Sequence, residues 1–190
     1  MTKRLLSAFI LMLAVIAAYG QQVTNFSLTN VVNGKQVSPD TYPSCSGLLI
    51  IFTSNSCAYD EHYRARINKL GSEYQDRVPL LLVNPGTDAA ESSENMTRKA
   101  KELSITVPYL ADKDQTLMQN LGATKSPQAF LLKNNGGKFM VVYSGAIDDN
   151  AQVEADVRHA YLKDAIDIML TNQKIETPEV RPVGCAIRKK

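Results

Sequence analysis

Five apolar residues in a row, Leu48-Leu49-Ile50-Ile51-Phe52, are followed by four polar residues, a cysteine and a helical pattern. A run with no polar alternation has no face to offer water, so it predicts a strand buried on both sides. Such a strand needs a packed layer above it and another below. Ala58 to Tyr74 supplies the first helix, with Tyr59, Tyr63, Ile67, Leu70 and Tyr74 at helical spacing. Arg64, Arg66 and Lys69 fall mostly on its other faces. A second buried strand over Val78 to Val83 ends at Asn84-Pro85-Gly86. A chain of 190 residues holds one domain built on this unit and is too short for two ordinary ones.

The pattern continues on either side. Val23 to Val37 predicts a hairpin about Asn33-Gly34, a dipeptide that favours a two-residue type I′ turn. Ser92 to Leu103 predicts a helix begun by Ser92. Pro108-Tyr109-Leu110 leads into a short helix over Gln115 to Leu121, stopped by Gly122. Gln128 to Lys133 and Lys138 to Ser144 predict two strands about the turn at residues 134–137. Ala155 to Asn172 predicts a last amphipathic helix carrying Val157, Tyr161, Ala165, Ile168 and Met169. From about residue 173 an extended tail contains Pro178, Pro182 and Gly184. This order predicts an α/β fold: a thioredoxin-like three-layer α/β/α sandwich with a mixed central sheet and an N-terminal β-hairpin.

The first twenty residues predict an export signal. Lys3 and Arg4 form a basic start, and Leu5 to Ala18 is apolar except for Ser7. Ala18-Tyr19-Gly20 offers small residues at the two positions a signal peptidase reads, predicting cleavage before Gln21. The run is short for a span, which needs about 20 apolar residues, so no stable membrane insertion is expected after cleavage. The predicted organisation is therefore a signal over residues 1–20 and one domain over 21–190. Of the 21 basic residues, Lys3 and Arg4 leave with the signal, so the rest balance the 19 acids. A neutral chain lacks the electrostatic basis for nucleic-acid binding. Export, to a periplasm or beyond the cell, puts the cysteines where disulfides persist.

The chemistry concentrates in Phe52-Thr53-Ser54-Asn55-Ser56-Cys57-Ala58-Tyr59. Cys57 stands where a buried strand hands over to a long helix. Unpaired amides and the positive end of the helix dipole stabilise a thiolate there. Three cysteines, Cys45, Cys57 and Cys185, allow three pairings and leave one thiol over. His62 and His159 are expected on helices without cysteines or carboxylates at ligand spacing, so no metal is implied, and no residue pattern implies an organic cofactor.

The segment resembles the F-T-C-x-x-C-P motif of the exported thioredoxin-like redoxins, the alkyl hydroperoxide reductase and thiol-specific antioxidant group. Asn95-Met96 with Pro108-Tyr109-Leu110-Ala111-Asp112 is similar to that family's M…P-Y-L-x-D run. Ser126-Pro127-Gln128-Ala129-Phe130, after Gly122-Ala123, is similar to its cis-proline T-P-x-x-F segment. Tyr143-Ser144-Gly145-Ala146-Ile147-Asp148-Asp149 resembles Y-x-G-R-I-D-D, and Gly184-Cys185-Ala186-Ile187-Arg188 resembles a terminal G-C-x-I-K. The resemblance implies a cis Ser126-Pro127 bond opposite Cys57, with Ser126 backbone open to an extended partner. It also makes Cys185 the better candidate resolving thiol, since Cys45 has no counterpart in the pattern.

The departures bear on activity. Ser54 stands where the first, attacking cysteine belongs, and a hydroxyl cannot form a disulfide, so a dithiol cycle within one motif is impossible. Ala58 replaces the proline after the motif and Ala146 the arginine before I-D-D. Three readings follow. The first is a thiol–disulfide oxidoreductase in extracytoplasmic redox homeostasis, acting through the single motif cysteine Cys57, alone or with a distant resolving thiol, on a thiol- or disulfide-bearing protein or small thiol. The second is a thioredoxin-fold module that binds extended polypeptide at the Pro127 face without catalysis. The third is an antioxidant peroxidase, since Ser54-x-x-Cys57 satisfies a [TS]-x-x-C core. Its context is poor: Ile50 occupies the place of that motif's proline, and Lys125-Ser126-Pro127 replaces an arginine-bearing segment.

Overall fold

The computed structural model describes residues 21–23 and 25–190; the expected export signal lies outside them. The strands are β1 (Leu28–Asn30), β2 (Gln36–Val37), β3 (Gly47–Phe52), β4 (Leu80–Asn84), β5 (Tyr109–Ala111), β6 (Lys125–Ser126), β7 (Gln128–Asn135), β8 (Lys138–Gly145), β9 (Glu179–Val180) and β10 (Cys185–Ala186). The helices are α1 (Ala58–Tyr74), α2 (Ser93–Glu102), α3 (Thr116–Leu121) and α4 (Tyr161–Leu170). Eight strands form one mixed sheet in the order β2-β1-β5-β4-β3-β7-β8-β9, and β10 pairs with β6 in a second sheet. β3 runs parallel to β4 through the α1 crossover and antiparallel to β7.

All six residues of β3 are buried. Leu49 and Ile51 face a core made with Tyr63, Ile67 and Leu70 of α1, Met96 of α2, and Leu162 and Ile166 of α4. Leu48, Ile50 and Phe52 face the other core, with Leu117, Met118 and Leu121 of α3 and with Val23 and Phe26. The pleat sends alternate side chains to opposite faces, and both faces are covered. This is the expected thioredoxin-like sandwich. α1 spans the predicted residues, and α2 starts at the predicted cap, where the Ser92 side chain accepts from Asn95 N. α3 ends at Gly122, whose φ of 71° is the left-handed stop of a helix.

Several expectations are corrected. The hairpin between β1 and β2 is closed by Asn30 N donating to Lys35 O, so its loop is longer than two residues. Asn33 is not among the residues with positive φ, which a type I′ turn requires. Tyr109–Ala111 forms β5 instead of only leading into a helix, because β1 and β4 pair with it from both sides. Three residues carry no period that sequence could read. The last helix begins at Tyr161, not Ala155. Asn150 Oδ1 accepts from Gln152 N and Val153 N, and Asp149 Oδ1 accepts from Arg158 N. Such side-chain turns compete with helical pairing. His159 therefore precedes the helix, stacked on Tyr161 at 5.8 Å. Two short stretches of the tail pair as strands, β9 and β10.

Arg66 is buried, against the expectation of a polar face. Its Nη1 lies 2.6 Å from Asp148 Oδ2 and donates to Asn150 O at 2.7 Å, and its guanidinium sits 4.0 Å over the Tyr63 ring. Tyr63 also donates to Asp148 Oδ1 at 2.9 Å, which ties α1 to the segment after β8. Removing one partner leaves the other charge buried alone. Asp148→Ala is therefore expected to lower unfolding free energy by about 3–5 kcal/mol in urea titrations. Arg66→Met combined with it recovers part of that loss, and a cost below about 1 kcal/mol would give the pair the weight of a surface contact.

Candidate active site

The site is built at the end of β3. Phe52 pairs with Gln128 of β7, the residue directly after the cis Ser126-Pro127 bond. Cys57 is the N-cap of α1 in an extended conformation and is 7% exposed. β10 pairs antiparallel with β6 and sets Cys185 opposite Ser126. Cys57 and Cys185, 128 residues apart in sequence, are joined in a disulfide with Cα atoms 6.0 Å apart. Of the three pairings open in the sequence, the structure holds this one. Cys45 is the free thiol, half-buried before β3, with its sulfur 3.1 Å from Tyr42 O; burial pushes this thiol up.

The Ser126 backbone is not open as expected. The chain's own tail pairs with it, and Ser126 is 2% exposed. Cys57 Sγ lies 3.1 Å from Ser126 O. In the disulfide this sulfur has no proton, so the approach is a contact. Once reduced, the thiol can donate there.

Two carboxylates absent from the sequence reading shape the loop before Cys57. Glu91, 3% exposed, accepts from Ser54 Oγ at 2.7 Å, Asn55 N at 2.8 Å, and Ser56 N and Oγ at 3.1 and 2.6 Å. Asn84, the last residue of β4, donates to Glu91 at 2.7 Å and to Tyr109 Oη at 2.9 Å. Gly86 leaves the room Glu91 needs, since a Cβ there would sit 2.5 Å from its Cγ. Burial raises the Glu91 carboxyl, but these donors outweigh it and hold the group below its ordinary value. Lys113 donates to Asn84 O and Gly86 O nearby, and burial brings it down to about 8 against the pull of Glu91 and Asp112.

The second carboxylate, Asp60, lies in the first turn of α1 and is buried. Its Oδ2 accepts from Ser126 Oγ at 2.5 Å and Ser54 N at 3.3 Å. Burial pushes it up to about 6, with these bonds opposing and Glu91 adding to the rise. The amides of Ser54, Asn55 and Ser56 are thus bonded to Asp60 and Glu91, not left to stabilise a thiolate. The Ser54 hydroxyl has one proton, and it points at Glu91. It is not available to a sulfur or a peroxide at Cys57 while that bond holds.

A cleft of about 230 Å³ opens beside the disulfide, lined among others by Ser54, Asp88, Glu91, Ser126 and Arg188. The tail past Cys185 continues along the protein. Ile187 N donates to Thr124 O at 2.9 Å, and the Ile187 side chain packs on the Leu48/Ile50/Phe52 core. Gln115, fully buried, donates to Arg188 O and accepts from Lys190 N, both at 2.8 Å. The structure thus brings together Cys57, Cys185, Ser126 and Pro127 of the residues singled out, turns Ser54 toward Glu91, and leaves Cys45 apart. Asp60, Asn84, Glu91 and Gln115 were missed. An acid in the first turn of α1 was a readable signal for Asp60; the others carry no local pattern. Among the described residues no cluster of three His, Cys, Asp or Glu is arranged to hold a metal, and no helix is long and apolar enough to cross a membrane.

A buried strand passing to a helix capped by cysteine, facing a cis proline just before the neighbouring strand, defines a thioredoxin-like fold. Residues 19–147 match the AhpC/TSA family, and the chain belongs to it. Among solved structures it is similar to a hypothetical protein from Sinorhizobium meliloti 1021, at 26% identity and a TM-score of 0.78 over 89% of this chain and 93% of that one. An uncharacterized conserved protein from Geobacillus kaustophilus is 26% identical, with a TM-score of 0.79 over 90% and 92%. The pneumococcal exposed lipoprotein thioredoxin from Streptococcus pneumoniae strain TIGR4 shares the fold at 20% identity, with a TM-score of 0.59 over 76% and 99%. No curated protein matches the chain.

A carboxyl whose folded pKa is raised binds its proton more tightly when folded. Its stabilising effect is present below the ordinary value near 3.8 and is lost as pH rises through about 6. Asp60 is therefore expected to cost the oxidised protein about 3 kcal/mol between those pH values. Asp60→Asn should flatten that part of a stability–pH profile measured by urea denaturation. An unchanged slope would remove Asp60 as its source.

Proposed function

We propose that this protein is an exported thiol–disulfide oxidoreductase whose redox couple is Cys57 and Cys185. The pairing of the motif's lone cysteine with a cysteine of the tail, beside the cis proline, is the observation that carries the reading. Ser54 removes the partner usually expected three residues before Cys57, and Cys185 takes over its electron-pair bookkeeping from the far end of the chain. Membership of the AhpC/TSA family supports redox chemistry. The export-like first twenty residues, and the likeness in fold to an exposed lipoprotein thioredoxin, support a site of action outside the cytoplasm.

The cycle uses only sulfur chemistry. In the dithiol form the Cys57 thiolate attacks one sulfur of a partner disulfide, and the partner's other sulfur leaves as a thiolate. The Cys185 thiolate then attacks Cys57 Sγ, the mixed disulfide breaks, and the partner's second thiolate leaves. Two electrons pass to the partner, and the Cys57–Cys185 bond forms again. A small thiol or a protein dithiol runs the same steps backwards to restore the reduced form. A peroxidase is less well supported because the Ser54 proton is directed at Glu91. A purely non-catalytic binding module is less well supported because a covalent bond occupies the face it would use.

The cysteine variants separate these steps. With a peptide disulfide as substrate, Cys57→Ser should abolish exchange. Cys185→Ser should still attack but accumulate the mixed disulfide, visible as an added mass removed by thiol. If Cys57→Ser and the unaltered reduced protein exchange at equal rates, the oxidoreductase reading fails.

A further inference from the structure

The tail held beside Ser126 is an extended peptide joined by a disulfide to Cys57, and its contacts describe what the groove accepts. The position before the cysteine has no space. A Cβ on Gly184 would overlap the carbonyl oxygen of Ser126 and lie 3.1 Å from Pro127 N. The cysteine pairs with Ser126 through the backbone. Ala186, the next residue, is exposed and meets no restriction. Ile187 is half-buried against the core that includes Leu48, Ile50 and Phe52, so an aliphatic side chain fits two positions after the cysteine. Beyond it the buried contacts are to main chain. Gln115 takes the carbonyl of Arg188 and the amide of Lys190 with one amide side chain. It does so from a backbone held at φ 58°, a conformation non-glycine residues seldom adopt. The ion pairs of Arg188 with Asp88 and Lys190 with Asp114 are exposed, at 3.9 and 3.6 Å, and add little selectivity.

We infer that this groove selects extended polypeptides carrying Gly-Cys-x-aliphatic, and that the tail and such a partner occupy it in turn. The inference deepens the redox reading of Cys57 and rests on it. Strand addition at Ser126 and the Gln115 clamp are main-chain interactions, which any sequence can make. The missing Cβ space and the seat of Ile187 supply the discrimination. In the reduced chain the tail is held without a covalent bond and can yield the groove. The Cys57 thiolate then attacks the sulfur of the partner's Gly-Cys cysteine, whose former disulfide partner departs as a thiolate. Return of the tail brings the Cys185 thiolate onto Cys57 Sγ and expels the partner cysteine as a thiolate. The partner disulfide gains two electrons, and the Cys57–Cys185 bond holds the oxidising equivalent.

The test uses the full chain with Cys45→Ser and Cys185→Ser, leaving Cys57 as the single thiol. The tail stays in place as an equal competitor for every probe. The probes are acetyl-Val-Gly-Cys-Ala-Ile-Arg-amide and two comparators, one with Ala for Gly and one with Ala for Ile. In each the cysteine is linked to a chromogenic thiol whose release reports attack. The parent peptide should react roughly tenfold faster than either comparator, the effect of about one lost hydrogen bond or methyl-sized contact. A small chromogenic disulfide without peptide serves as control. If it reacts with Cys57 but all three peptides react alike, the selectivity is overturned and the redox reading stands. If Cys57 reacts with none of them, both fall. Gly184→Ala in the otherwise unaltered chain gives a second readout that needs no cysteine removed. Its Cys57–Cys185 bond should be reduced about tenfold more readily in a thiol–disulfide buffer. An unchanged equilibrium would overturn the inference independently.

Discussion

The arrangement depends on the complete burial of β3. A six-residue strand with no solvent face forces helices onto both sides of the sheet, and its ends become the places where the chain can meet water again. At the C-terminal end the chain leaves β3, turns through Ser54, Asn55 and Ser56, and enters α1 at Cys57. The neighbouring strands end or begin at the same level. β4 stops at Asn84, which holds Glu91, and β7 starts just after the cis Ser126-Pro127 bond. Cysteine, carboxylates and peptide-pairing strand are therefore gathered by one packing requirement, not by proximity in sequence.

What fills that gathering point differs from a motif with two neighbouring cysteines. The Ser54 hydroxyl donates its hydrogen bond to the Glu91 carboxylate, and the amides of Asn55 and Ser56 go the same way. Those bonds set the negative charge of Glu91 near the positive end of α1. The missing sulfur is supplied instead by the tail, which reaches the site only because β9 joins the sheet edge and β10 pairs beside the cis proline. Closing so long a loop is entropically costly without such guidance. The main-chain pairing and the Gln115 clamp do the positioning, and the disulfide then locks it.

The elements that could be read from sequence were those with a long period or an unbroken apolar run. α1, β3 and β7 were legible for that reason, as was Gly122 as a helix stop. The start of α4 was not, because Asp149 and Asn150 capture the chain in turns whose partners lie nearby but outside any helical pattern. Arg66 looked like a solvated residue of α1. Asp148, 82 positions later, pairs with it and makes its burial tolerable. At the site, Cys57, Ser126 and Pro127 were legible as motif residues, and Ser54 as a departure. Glu91, Asn84 and Gln115 were not, since each acts through partners distant in sequence.

The sequence by itself determined the fold class and the place of Cys57. Apolar periodicity and a cysteine at a strand-to-helix junction are local properties that survive any rearrangement of the rest. The tertiary structure decided which of three thiols is its partner, where the Ser54 proton points, and that the Ser126 backbone is already paired. Those outcomes depend on segments meeting across the sheet, and hydrogen-bond donors, disulfides and steric space have no expression in a sequence until the chain has brought them within a few ångströms of one another.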